Sequence, residues 1–248
     1  MIRVDILLVE QGLAASRTAA QNLVAAGRVS CGGAVVAKSS QKFPADAAFD
    51  IVADEADRYV SRGGLKMRGA LDAAGLDIAG WTALDVGQST GGFTDCLLQA
   101  GARRVVGVDV GHDQLHPRMR EDARVRYFEG VNARALDRAA LLAVNEGDGF
   151  DLMVCDVSFI SLSLVLPSAL PLLTPGGRLL SLVKPQFEVG REGLSHGGIV
   201  RDESLYPQVK DKIDRVLAEQ NMKTLAWFDS PIKGGDGNRE FFVHAERR

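Results

Sequence analysis

From residue 82 onward the chain alternates short apolar runs with helical patterns, and this alternation constrains the fold more than any other feature. Runs at 82–86 (TALDV), 104–109 (RVVGVD), 125–128 (VRYF), 150–156 (FDLMVCD) and 178–184 (RLLSLVK) have strand length, and two more fall near 223–228 and 240–245. Between them lie helical segments, including an Ala/Leu-rich stretch around 135–145 and LYPQVKDKIDRVLAE at 205–219. Strands that alternate with helices predict an α/β fold with a mostly parallel sheet covered on both faces. Ligands of such sheets bind outside the carboxyl ends of the strands, so site residues are expected where strands end.

The turn after the first of these strands, DVGQSTGGF, leaves an apolar run at Asp85 and leads into a helical pattern from Phe93. It has neither the G-x-G-x-x-G spacing of a dinucleotide site nor the Lys-Ser/Thr of a phosphate loop. It supplies an acid at the strand end (Asp85), glycines for close approach (Gly87, Gly91, Gly92) and two hydroxyls (Ser89, Thr90). Asp109 ends the next strand 24 positions later, where an acid suits the two hydroxyls of a ribose. NAD and S-adenosylmethionine share that need, and the missing pyrophosphate cradle favours the sulfonium cofactor. Asn132, just past the third strand, is placed to hydrogen-bond an adenine edge.

The character of the chain changes near residue 60. Residues 1–42 carry five basic side chains (Arg3, Arg17, Arg28, Lys38, Lys42) against Asp5 and Glu10, whereas residues 43–57 carry five acids and no base. The segment RVDILLVEQG reads as a short helix ending at Gly12, and a second helix starts from a Ser16 cap, with Ala20, Leu23 and Val24 at helical spacing. RVSCGGAVV then reads as a hairpin turning at Gly32-Gly33. A module of this size has a thin core. Its basic residues are either solvated or form a nucleic-acid clamp, and periodicity leaves the two open.

Composition sets outer limits. The net charge is -3, so affinity for a polyanion must come from local patches. Cys31, Cys96 and Cys155 stand far apart with no CxxC pair, which predicts no metal site and suits a reducing cytoplasm. The apolar stretch FISLSLVLPSALPLLTPG (159–176) is interrupted by serines and prolines, so it predicts a strand end and a buried helix rather than a membrane span.

Six segments in order, YVSRGGLKM, LDVGQSTGGFTDCLLQ, VDVGHDQLHPRMR, LMVCDVSFISL, LVKPQFE and GGDGNREFF, resemble those of the TlyA family, often labelled haemolysin A. The resemblance covers essentially the whole chain. It implies a small α+β RNA-binding domain similar to that of ribosomal protein S4 at residues 1–60. An FtsJ-like Rossmann methyltransferase domain with a mostly parallel seven-stranded sheet is implied at 61–248. The implied activity is S-adenosylmethionine-dependent 2′-O-methylation of cytidine in ribosomal RNA. Ribosomal RNA or ribosomal subunits are then the partners, the location is cytoplasmic, and the oligomeric state stays open. Gln88 and Asp113 depart from the family pattern, standing where a small residue and a glycine are usual, at the expected rim of the cofactor pocket.

FtsJ-like enzymes use a Lys-Asp-Lys-Glu set, which the resemblance carries to Lys66, Asp156, Lys184 and Glu240. Asp156 and Lys184 end strands of the parallel sheet. Glu240 begins the last strand, which runs antiparallel in this topology and so starts at the same edge. Lysine, with an ordinary pKa of about 10.4, is a poor base at neutral pH; a second lysine nearby would disfavour its charged form and favour Lys184 as the base. Asp156 also borders the expected cofactor site. The loop 186–202 follows the presumptive base directly, with Arg191 and Arg201 available for RNA phosphates, as are Arg3, Arg17 and Arg28 in the N-terminal module. Two other classes stay in view: an RNA-binding protein with a vestigial cofactor fold, and a membrane-active cytolysin. The complete four-residue set speaks against the first, and the lack of an unbroken apolar span or a basic amphipathic helix against the second.

Overall fold

The computed structural model describes residues 1–14 and 16–248 and divides the chain into two compact units, Met1–Asp57 and Arg58–Arg248. In the first unit, β1 (Ile2–Arg3) leads into α1 (Val4–Glu10), and α2 (Arg17–Ala25) follows. The Ser16 side chain accepts a hydrogen bond from Ala19 N and caps α2 as its sequence position predicts. β2 (Val29–Cys31) and β3 (Ala34–Val35) form the expected hairpin, with β4 (Lys42–Phe43) pairing β1 and β5 (Asp50–Ile51) pairing β2. A small core of Val4, Leu7, Leu8, Ala20, Val24 and Val29 holds the unit together.

The second unit opens with α3 (Gly63–Ala74). It continues as β6 (Thr82–Val86), α4 (Gly92–Gln99), β7 (Arg104–Val108), α5 (Pro117–Glu121), β8 (Val125–Phe128), α6 (Arg138–Ala143) and β9 (Phe150–Cys155). The remaining elements are α7 (Leu162–Ala169), β10 (Leu173–Val183), α8 (Leu205–Glu219), β11 (Met222–Asp229) and β12 (Phe241–Arg247). One seven-stranded sheet has the order β11-β12-β10-β9-β6-β7-β8. All neighbours from β10 to β8 are parallel, and β12 runs antiparallel to both β10 and β11. Every residue of β6 is buried because helices cover both faces. Successive side chains go to opposite cores: Leu84, Val86, Met153 and Val183 pack with α7 and α8, while Ala83, Leu152, Val154 and Leu182 pack with α3 and α4.

The seven expected strands are all present, with small shifts that matter for the site. β7 and β9 stop one residue short of the acids, so Asp109 and Asp156 are the first residues beyond their strands rather than the last within them. β10 starts at Leu173, earlier than the apolar run predicts, and its register shifts between Leu173 and Arg178 around a Pro-Gly-Gly segment. The apolar stretch at 159–176 contains α7 and the start of β10, and among the described residues no helix is long and apolar enough to cross a membrane.

Candidate active site

The order of the sheet decides where functional side chains can meet. The chain runs outward from β6 through β7 to β8 on one side and then crosses back to β9 on the other, which opens a crevice at the carboxyl ends of these strands. Val86 pairs with Cys155, so the Gly87 turn lies beside Asp156. Gly87 has φ 84°, and a Cβ there would fall 2.6 Å from the Asp156 carbonyl oxygen, so only glycine allows the two loops to approach this closely. Val183 pairs with Phe241, which sets Lys184, just past β10, next to Glu240, just before β12.

The four candidate catalytic residues form two ion pairs at this edge. Lys66 Nζ, from α3, donates to Glu240 Oε2 at 2.6 Å, with both side chains largely buried. Lys184 Nζ stands 2.7 Å from Asp156 Oδ1, outside hydrogen-bonding alignment, and donates to Ser158 Oγ at 2.8 Å. Ser158 is a partner that the sequence pattern does not single out.

Three cavities converge here. A cavity of about 480 Å³ runs along the ends of β6, β7 and β9 and is lined by Gly87, Ser89, Asp109, Asn132 and Asp156 of the expected cofactor set. Its apolar wall comes from Val110, Val131, Val157 and Ile160, which sequence reasoning did not select because they read as ordinary strand-edge and loop residues. A second cavity, about 250 Å³, shares Gly87, Ser89 and Asp156 with it and adds Lys66, Thr90, Gly92 and Arg62. A third, about 430 Å³, contains Lys184 and Glu240 and meets the first at Ser158 and Phe159. Phe159 is 92% exposed, has φ 63°, and lies 5.3 Å centroid to centroid from Phe187. A bulky residue held in the left-handed region with its ring in solvent is a strained arrangement of the kind found at binding sites. In the sequence it is hidden within an apolar run.

The carboxylate of Asp109 is oriented by the backbone: Oδ2 accepts from Ser89 N at 2.8 Å and Oδ1 from Gly111 N at 2.7 Å. Each oxygen keeps a lone pair for a hydroxyl donor in the large cavity. Asp85 is placed differently from its expected contact role. It is fully buried behind the turn and lines none of the three cavities; its Oδ2 accepts from Thr94 Oγ1 at 2.7 Å, and Oδ1 has no hydrogen-bond partner. Burial, reinforced by the nearby Asp156 charge and opposed by the Thr94 hydrogen bond, pushes its carboxyl up to about 7. Gly91 likewise lies outside the cavities and is the N-cap residue of α4, with φ 89°. Gln88 extends this interior network by donating to Thr94 Oγ1 at 2.8 Å. It fits because Gly107 lies beneath it, where a Cβ would fall 2.0 Å from the Gln88 side chain. The side chain at 88 thus points mainly inwards, and the residue also borders the smaller cavity. Asp113 takes φ 56°, and its side chain is turned to solvent.

The candidate RNA contacts divide into two groups. Arg191 and Arg201 are exposed on the loop after β10. In the first unit, Arg3 and Arg17 converge on the buried Asp5 carboxylate, with Nη2–Oδ2 distances of 2.9 and 3.1 Å, and Gln21 joins at 2.9 Å. The Arg3 guanidinium, opposed by burial and assisted by Gln21 and Arg17, holds Asp5 well below the usual carboxylate range. Arg17 keeps a side chain 58% exposed, whereas Arg28 is 14% exposed and is engaged by Val52 O and by Asp57. Arg28, a candidate phosphate contact, is thus already paired within its unit, which the basic pattern does not show. Among the described residues no cluster of His, Cys, Asp and Glu suits a metal ion.

Comparison with known proteins follows this division. The FtsJ-like methyltransferase family matches residues 59–247, and the S4 domain matches residues 2–46. The chain is 40% identical over 241 residues to the 16S/23S rRNA (cytidine-2′-O)-methyltransferase TlyA of Mycobacterium tuberculosis, covering 97% of this chain and 88% of that protein. It is 35% identical over 243 residues to Hemolysin A of Brachyspira hyodysenteriae, covering 98% and 99% respectively. A solved haemolysin-named protein from Streptococcus thermophilus superposes with a TM-score of 0.77 at 39% identity, covering 99% of this chain and 88% of that one. At the level of fold alone, the magnesium protoporphyrin IX methyltransferase of Synechocystis matches with a TM-score of 0.51 at 14% identity over 80% of this chain and 90% of that one. The chain therefore belongs to the FtsJ-like methyltransferase family and carries an S4 domain at its N-terminus.

Proposed function

We propose that this chain transfers a methyl group from S-adenosylmethionine to the ribose 2′-hydroxyl of a cytidine in ribosomal RNA. The observation that carries the reading is the convergence of Lys66–Glu240 and Lys184–Asp156 where the three cavities meet. The relatives' stated activities point the same way. S-adenosylmethionine, when bound, supplies a methyl group made electrophilic by its sulfonium. Asp109 is the acceptor for ribose hydroxyls, Asn132 faces the adenine end, and Val110 and Ile160 give the large cavity an apolar wall for the ring. Ser89, Thr90 and Gly92 border the smaller cavity, which suits the amino-acid end.

The RNA enters from the third cavity. Lys184, as the neutral amine, would take the proton of the 2′-hydroxyl as its oxygen bonds the methyl carbon and that carbon's bond to the cofactor sulfur breaks, leaving the neutral thioether; Ser158 positions the amine and Asp156 pairs with the ammonium that results. Lys66, fixed by Glu240, places a second positive group beside the acceptor oxygen. The exposed ring of Phe159 offers a face on which an unstacked base can rest. The N-terminal unit supplies local phosphate contacts for the RNA, with Arg17 as its best-exposed candidate. The direct test is to map ribose methylation on ribosomal RNA from cells with and without the protein. A cytidine methylation that depends on the protein and vanishes with Lys184→Ala supports the reading. An unchanged methylation map overturns it.

A further inference from the structure

We infer that Glu188 is a positioning residue for methyl transfer: its carboxylate locks the loop after β9 onto the loop after β10 and so keeps Ser158 aligned with Lys184. The assignment rests on the reaction proposed above. Glu188 lines none of the three converging cavities, and its side chain is only 1% exposed. Both of its oxygens are engaged. Oε1 accepts from Leu162 N, the first residue of α7, at 2.8 Å, and Oε2 accepts from Ser161 Oγ at 2.5 Å and from Lys212 Nζ of α8 at 2.8 Å. Lys212 also donates to Ser161 Oγ at 3.1 Å and to the Glu188 carbonyl oxygen at 3.2 Å, so one ammonium compensates the buried charge and touches both loops.

The two loops meet at three places. Lys184 faces Asp156 and Ser158 at one end, the Phe187 and Phe159 rings lie 5.3 Å apart in the middle, and Glu188 holds Ser161 and Leu162 at the other end. On the β10 side a tight turn fixes the spacing: Phe187 N donates to Lys184 O and Glu188 N to Pro185 O, each at 2.9 Å, so Glu188 and Lys184 form one rigid piece. On the β9 side only Phe159 and Ile160 separate Ser158 from Ser161. Phe159 there has φ 63°, a costly conformation that persists only where the surrounding structure holds it. Released from Glu188, this loop can relax at Phe159 and carry Ser158 away from the lysine. A carboxylate that only capped α7 would need Leu162 N alone. The bond to Ser161 and the turn back to Lys184 are what tie Glu188 to the reacting amine.

The test measures single-turnover methyl transfer to ribosomal subunits at saturating S-adenosylmethionine, well below the melting temperature and per folded molecule. Glu188→Gln keeps the shape but turns one of the two acceptors into a donor that faces donors. It should lower the rate by about tenfold to a hundredfold, the cost of a small misalignment at the reacting groups, while affinities for the cofactor and the subunits hold. Combined with Ser158→Ala, the same substitution should cost much less than it does alone, because the alignment it protects ends at the Ser158–Lys184 contact. Ser161→Ala removes one of the two bonds to the loop and leaves the Glu188–Lys212 pair in place. It should show a smaller loss with the same dependence on Ser158, and it serves if Glu188→Gln does not fold. A lowered melting temperature with an undiminished rate, or an equal loss with and without Ser158, would make Glu188 a scaffold residue alone while the methyltransferase reading stands. No transfer by the wild-type protein to either subunit would overturn that reading and this assignment with it.

Discussion

Lys66 Nζ lies 2.6 Å from Glu240 Oε2 although 174 residues separate them in sequence. The contact joins the helix before the first strand of the sheet to the start of its last strand. With side chains only 12% and 3% exposed, each partner depends on the other for its charge to be tolerated. Glu240→Ala should therefore cost about 3 kcal/mol of stability besides abolishing methyl transfer, and Lys66→Ala should do likewise. The double variant should lose less than the sum, as expected for directly coupled groups. Urea denaturation of the four proteins measures this, and strict additivity would show that the two side chains act independently.

Lys184→Ala should lower methyl transfer by about a hundredfold or more, the scale of a lost general base, with cofactor affinity retained. Lys184→Arg should not rescue it, because a guanidinium keeps its proton at any working pH. Single-turnover rates on ribosomal subunits make the comparison, and near wild-type turnover in either variant would assign the proton to another group.

Asp109→Ala should weaken S-adenosylmethionine binding by about tenfold to hundredfold, since hydrogen bonds to a charged acceptor are worth roughly 1.5–3 kcal/mol. Calorimetry reads the change. Binding of NADH in preference to S-adenosylmethionine would point to hydride chemistry instead.

The buried Asp85 makes stability depend on pH. Its folded value of about 7 lies above the unfolded value of about 3.9, so between them the folded chain keeps a proton that the unfolded chain has lost. The associated stability is full below about 4 and declines as pH rises towards 7. Asp85→Asn removes the titration. Its stability advantage over the wild type should widen by a few kcal/mol, on the order expected for such a shift, between pH 5 and pH 8. An advantage that does not change with pH would mean that Asp85 is ionised within the fold.

RNA affinity should reside mainly in the N-terminal unit. Removing residues 1–57 should leave a folded, cofactor-binding domain that has lost most of its affinity for ribosomal RNA. In the full chain, Arg17→Ala should reduce the salt slope of binding by about one unit. Arg28→Ala should instead lower the melting temperature of the N-terminal unit, because its guanidinium ties Val52 and Asp57 to the β2 hairpin. Filter binding across salt concentrations tests the first two statements and calorimetric melting the third. A truncated chain that binds RNA as well as the full one would make the unit an appendage.

The order of elements was legible in the sequence because it depends on local patterns. Strands buried on both faces appear as continuous apolar runs, as in Thr82–Val86, and amphipathic helices such as Leu205–Glu219 show their own period. The Ser16 cap and the Gly32-Gly33 turn are equally local. The acids Asp109 and Asp156 marked the carboxyl edge of the sheet for the same reason, since a strand end is where an apolar run stops. Only the tertiary structure decided which of these groups face one another. The neighbours of β10 and β12 follow from a sheet order that periodicity does not encode, so Lys66 meets Glu240, and Lys184 meets Asp156 and Ser158, only after the sheet has assembled. Burial is also a property of the assembled fold. It moved Asp85 behind the turn and set Arg3 and Arg17 around Asp5. It also left the Gln186 amide oxygen buried without a hydrogen-bond partner, which its position in the chain does not show.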